Sequence, residues 1–142
     1  MPYSNVKSRG VTKAPARPEP TTAASRRALI VDTDPASARL CGETLARMGF
    51  AIDRVNGGVA AVVAARGRAP DLIVMDAQLS DASARETIGW LRANPSLKSI
   101  PIVVLGITDA LRLPASDAGA MTAVTKPLTA AAIERAVRGL CE

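Results

Sequence analysis

Ala28-Leu-Ile-Val-Asp-Thr-Asp-Pro35 divides into four apolar residues, a polar triplet and a proline. A continuous apolar run that stops at a carboxylate is the pattern of a strand buried on both faces, as in a parallel sheet covered by helices. Asp34 followed by Pro35 then starts a helix, the aspartate as cap and the proline in the first turn, where its missing N–H costs nothing. Cys41, Leu45 and Met48 share one face of that helix, and Gly49 can close its end.

The same unit recurs along the chain. Phe50 to Val55 reads as a second strand, and Gly57-Gly58 marks a turn before an Ala- and Val-rich helix to about Arg66. Pro70-Asp71 leads into the third apolar run, Leu72-Ile-Val-Met75, which ends at Asp76. Ser83 or Asp81 starts the next helix, with Ala84, Ile88 and Leu91 at helical spacing and Asn94-Pro95 as its stop. Pro101-Ile-Val-Val-Leu105 is the fourth strand. A fourth helix over 109–117, short or irregular because of Pro114, precedes a fifth strand from Met121 to Val124. Thr129 caps the last helix, which carries Ile133, Val137 and Leu140 on one face. Strands and helices alternating through short connections imply a doubly wound α/β fold, a five-stranded parallel sheet with helices on both faces.

Composition narrows the function. The 142 residues suit a single core, and one Trp, one Tyr and one Phe leave almost nothing on which bases could stack, so no direct DNA binding is expected. The formal charge of +5 is not spread over the domain: 1–27 hold six basic residues against Glu19, and the remainder balances at twelve against twelve. Residues 1–25 therefore read as a disordered basic N-terminal tail, a solubilising extension or a docking arm, and 26–142 as the folded domain. No apolar run reaches membrane-spanning or secretory-signal length, so the expected setting is cytoplasmic, without membrane contact. Cys41 and Cys141 lack metal-ligand spacing, and the chain has no His.

In such sheets sites form beyond the carboxyl ends of strands, and here those ends carry Asp32, Asp76, Gly106 and Thr125-Lys126. Asp32, Asp34 and Asp76 would converge at one edge, where mutual repulsion favours a cation and hard oxygens suit magnesium. Lys126 would bring a positive point charge to the same edge. An aspartate, a magnesium site and a lysine together make a phosphoryl acceptor.

Leu29-Ile-Val-Asp-Thr-Asp-Pro35, Asp71-Leu-Ile-Val-Met-Asp76, Ile100-Pro-Ile-Val-Val-Leu105, Ala118-Gly-Ala120 and Thr125-Lys-Pro127 occur in the order and near the spacing of bacterial two-component receiver domains, which the folded part resembles throughout. The resemblance implies a flavodoxin-like fold and a phosphoprotein in which Asp76 takes phosphate from a histidine kinase or phosphotransfer protein. It further implies Lys126 as the phosphoryl or carboxylate contact, Asp32 positioning metal-bound water, and the main-chain carbonyl of Gln78 as a further magnesium ligand. It also implies a response regulator that signals to a downstream protein target, with homodimerisation left open, and no enzyme beyond self-phosphotransfer and autodephosphorylation.

Three positions depart from the family's pattern. Thr33 stands where a second adjacent acid is usual, which weakens the magnesium site unless Asp34 swings in. Gly106 replaces the fourth-strand hydroxyl residue, and Ala123 replaces the fifth-strand aromatic, so both halves of the family's switch are altered. The leading expectation is a stand-alone receiver; the alternative is a phosphorylation-independent pseudo-receiver acting as an adaptor or dimerisation module. A weaker alternative takes Asp32 and Asp34 as nucleophile and general acid of a haloacid-dehalogenase-like phosphatase.

Overall fold

The computed structural model describes residues 26–106 and 121–141. The expected N-terminal tail, the helix over 109–117 and the Ala118-Gly-Ala120 motif lie outside the described residues. In chain order the elements are β1 (Arg26–Val31), α1 (Pro35–Arg47), β2 (Phe50–Val55), α2 (Gly58–Gly67), β3 (Leu72–Asp76), α3 (Ala84–Arg92), β4 (Ile102–Leu105), β5 (Met121–Val124) and α4 (Ala130–Cys141).

The five strands form one parallel sheet in the order β2-β1-β3-β4-β5. Parallel strands need crossovers, and the helices that supply them bury both faces. Because side chains alternate across a strand, each apolar run feeds two cores. Ala28, Ile30, Leu72, Val74, Val103 and Leu105 face one, with Cys41 and Leu45 of α1 and Ile133 and Val137 of α4. Leu29, Val31, Ile73, Met75, Ile102 and Val104 face the other, with Ala61 and Ala65 of α2 and Ile88 and Leu91 of α3.

Local chemistry fixes the helix ends. Asp34 caps α1 by accepting N–H bonds from Ala36 and Ser37, Pro35 opens the helix, and Gly49 follows it with φ of 98°. That left-handed value suits a residue without Cβ. Of the two candidates for starting α3, Ser83 is the cap, in a reciprocal capping box with Glu86. Asp81 instead caps α2 from outside, accepting N–H bonds from Gly58 at 2.8 Å and Val59 at 3.2 Å. A Cβ on Gly57 would lie 2.5 Å from Asp81 Oδ1, and one on Gly58 would lie 2.2 Å from Thr87 Oγ1, so the glycine pair is a requirement of close packing as well as a turn. The hydroxyl of Thr129 accepts the Ala132 N–H at 3.1 Å, capping α4 as its sequence implied.

Candidate functional site

Strand order reverses between β1 and β3: β1 is followed by β2 on one side, and β3, β4 and β5 extend on the other. A crevice opens beyond the carboxyl ends at such a point. Asp32 follows β1 directly and Asp76 is the last residue of β3, so the topology alone brings these two carboxylates together.

Asp76 is held by the ladder, paired with Leu105 of β4, and the next N–H, that of Ala77, donates to the Leu105 carbonyl at 2.8 Å. Its side chain is 14% exposed, and Lys126 Nζ stands 3.9 Å from Oδ1. The lysine is 56% exposed, so the pair contributes only about 0–1 kcal/mol to stability and matters as placement of charge.

Asp32 is fully buried at 0% exposure. One carboxylate oxygen, Oδ1, accepts the Asp34 N–H at 2.9 Å, whereas the buried Oδ2 has no partner. Burial is the main cause that raises its pKa; the Asp34 N–H works against this, the charges of Asp76 and Asp34 add to the rise, and Arg54 opposes it. A buried carboxylate oxygen without a donor carries a desolvation penalty that a cation would offset. Arg54 Nη2 donates to the Asp32 carbonyl at 3.0 Å, a buttress that its alternating position in β2 did not announce.

Asp34 is committed differently. Its carboxylate accepts the Ser37 hydroxyl at 2.8 Å and the N–H groups of Ser37 and Ala36 at 3.3 and 3.4 Å, and the Ser37 hydroxyl chiefly holds its pKa below the ordinary value. Among the described residues, no group of three His, Cys, Asp or Glu side chains is placed to hold a metal. The oxygens here that suit a hard cation are the orphaned Asp32 Oδ2 and the Asp76 carboxylate. Gln78 bridges Ser83, but the bonds around that bridge run from Leu79 N to Ala82 O and from Ala84 N to Ala77 O, leaving the Gln78 carbonyl out of them.

The three altered positions each have a structural counterpart. Thr33 Oγ1 donates to the Asn56 carbonyl at 2.9 Å, tying the β1–α1 turn to the end of β2. Gly106 has φ of 86°, and a Cβ there would lie 2.9 Å from Lys126 Cε and 3.5 Å from Asp76 Oδ1. Ala123, in β5 opposite Val104, lines an open groove of about 500 Å³ between β5 and α4, where a larger side chain would have volume to fill.

These features define a class: a flavodoxin-like α/β domain with a carboxylate site at its switch point. The sequence pattern of the response regulator receiver domain matches residues 28–138, and the chain belongs to that family. It is 33% identical over 115 residues, 79% of its length, to the probable transcriptional regulatory protein TcrX of Mycobacterium tuberculosis, of which it covers 48%. It is 31% identical over 77 residues, 54% of its length, to the polar-differentiation response regulator DivK of Brucella anthropi, covering 63% of that protein. The chain thus spans about half to two thirds of these curated relatives. The receiver domain of the sensor histidine kinase PA1611 from Pseudomonas aeruginosa, solved with magnesium in its active site cleft, superposes with a TM-score of 0.71 at 23% identity, covering 82% of this chain and 98% of that one.

Proposed function

We propose that this receiver takes a phosphoryl group on Asp76 from the phosphohistidine of a histidine kinase or phosphotransfer protein in the cytoplasm, and signals by contact with a downstream protein. The observation that carries this reading is the pairing of Asp76 with Lys126 beside the unpartnered Asp32 Oδ2. In the reaction an Asp76 oxygen forms a bond to phosphorus while the bond from phosphorus to the donor imidazole breaks, its electron pair returning to nitrogen. Lys126 supplies a positive charge beside the anionic group as it arrives. Asp32, Asp76 and the Gln78 carbonyl would hold magnesium, which screens the remaining charge on the phosphoryl oxygens. The metal-bound P. aeruginosa receiver supports this assignment by analogy of fold.

The phosphatase alternative loses its support, because Asp32 is fully buried and the Asp34 carboxylate is occupied as a cap. The pseudo-receiver alternative is favoured by Gly106 and Ala123, which leave Lys126 as the side chain placed beside Asp76 to report its state. One experiment divides the two: exposure to acetyl phosphate with magnesium, read by intact mass, with Asp76→Asn alongside. Gain of one phosphoryl group by the wild type and none by the variant is the expected result. A wild type that gains nothing overturns phosphoryl acceptance, and equal gain by the variant overturns Asp76 as acceptor.

A further inference from the structure

Among the described residues the exposed large hydrophobics are Val59 at 55%, Val63 at 64% and Trp90 at 43%, and all three line one groove. Val62 and Arg66 complete its lining, and its volume is about 260 Å³. Helix α2 explains why it exists. Gly58, Ala61 and Ala65 face the core, yet Val59, Val62, Val63 and Arg66 recur at the spacing of a second helical stripe on the outer side. A surface helix normally turns a polar face to water, whereas the only charged residue in α2 is Arg66.

The groove lies on α2 and α3, its lining contains no residue of the phosphoryl site, and it is smaller than the roughly 300–1,000 Å³ of small-molecule clefts. Its open, apolar shape suits side chains from an amphipathic helix. Charge selects the partner. Arg66 has no ion-pair or hydrogen-bond partner among the described residues. The carboxylates at the helix N-terminal ends are taken, Asp81 by the Gly58 and Val59 N–H groups and Glu86 by that of Ser83. A second copy docking through the same patch would set Arg66 against Arg66 with no carboxylate in the lining, so the patch is not self-complementary. We propose that the α2–α3 groove docks an amphipathic helix of a partner protein, apolar residues entering beside Trp90 and Val63 and a carboxylate meeting Arg66.

Trp90 is the chain's single tryptophan, so its fluorescence reports this groove alone. The probe is a synthetic amphipathic helical peptide with leucines at i, i+3, i+4 and i+7 flanked by glutamates, compared with a twin carrying lysines. The full chain is titrated without phosphodonor or magnesium, so the outcome is independent of the phosphoryl reading. A saturable blue shift is expected with the glutamate peptide, at least tenfold weaker with the lysine twin. Val63→Glu should abolish it, and Arg66→Glu should reverse the preference between twins; both positions are on the outer stripe, and unchanged circular dichroism confirms folding. Equal binding of the twins, or binding insensitive to both substitutions, overturns the proposal. So does absence of any saturable shift, or a shift that follows protein concentration without peptide, which would assign the groove to a second copy.

Discussion

Gly106 and Lys126 share one space: a Cβ on the glycine would sit 2.9 Å from Lys126 Cε, and the glycine's φ of 86° is one that side-chain-bearing residues avoid. The lysine lies over bare backbone on its way to Asp76. Restoring a hydroxyl by Gly106→Thr is therefore expected to cost about 1–3 kcal/mol of stability through backbone strain and to push the lysine tip aside. Urea midpoints of Gly106→Thr and Gly106→Ala check the first part. Phosphoryl uptake from acetyl phosphate checks the second, with no gain expected over the wild type.

The orphaned Asp32 Oδ2 leads to opposite effects with and without metal. In metal-free buffer Asp32→Asn should raise stability by about 1–3 kcal/mol, since it removes a buried charge of which one oxygen has no donor and which the charges of Asp76 and Asp34 oppose. Magnesium at a hundred times its dissociation constant should stabilise the wild type by about 2.7 kcal/mol and the variant by much less. Thermal melts across a magnesium series, with calcium for comparison, measure both. A variant that gains as much as the wild type would remove Asp32 from the metal site.

Ile88 and Val63 lie on neighbouring helices with opposite fates, the first fully buried and the second 64% exposed. Ile88→Ala should cost about 2–5 kcal/mol and Val63→Ala no more than about 0.5 kcal/mol. Chemical denaturation of the two variants tests whether the outer stripe of α2 contributes to folding. A large loss for Val63→Ala would mean that the valine is part of the core.

The fold was legible because its evidence is local and repeated: apolar runs ending at Asp32 and Asp76, Pro35 after Asp34, Gly49 behind Met48. The positions of Asp32, Asp76 and Lys126 at one edge followed from topology, since strand ends in a doubly wound sheet share an edge wherever the helices run. What the sequence did not carry was direction and partnership. The helix cap at Asp34 was legible from the Pro35 behind it, but nothing local says that the Ser37 hydroxyl also donates to that carboxylate, or that Arg54 reaches across to the Asp32 carbonyl. Asp81 is the sharpest case, because an aspartate two residues before Ser83 has the spacing of a helix start, and only the packing of α2 against the β3–α3 loop turns it onto another helix.

That tertiary cap makes a prediction with a sign. The N–H of Gly58, and after it that of Val59, hold the Asp81 pKa below its ordinary 3.8. A carboxylate whose folded pKa is lowered contributes stability that is present above its unfolded value and lost as pH falls through the folded one. Asp81→Ala should therefore destabilise the domain at neutral pH, where the charge also faces the positive end of the α2 dipole. The gap between variant and wild type should narrow as pH drops below 3.8 and close once Asp81 is protonated in both states. Paired urea titrations across that range measure it. Because Asp81 spans the loop after Asp76 and the start of α2, hydrogen exchange in the variant should quicken first at Gly58 and Val59, the two amides that lose their acceptor. A uniform rise across the sheet instead would mean that the substitution loosens the whole domain and that the cap acts globally.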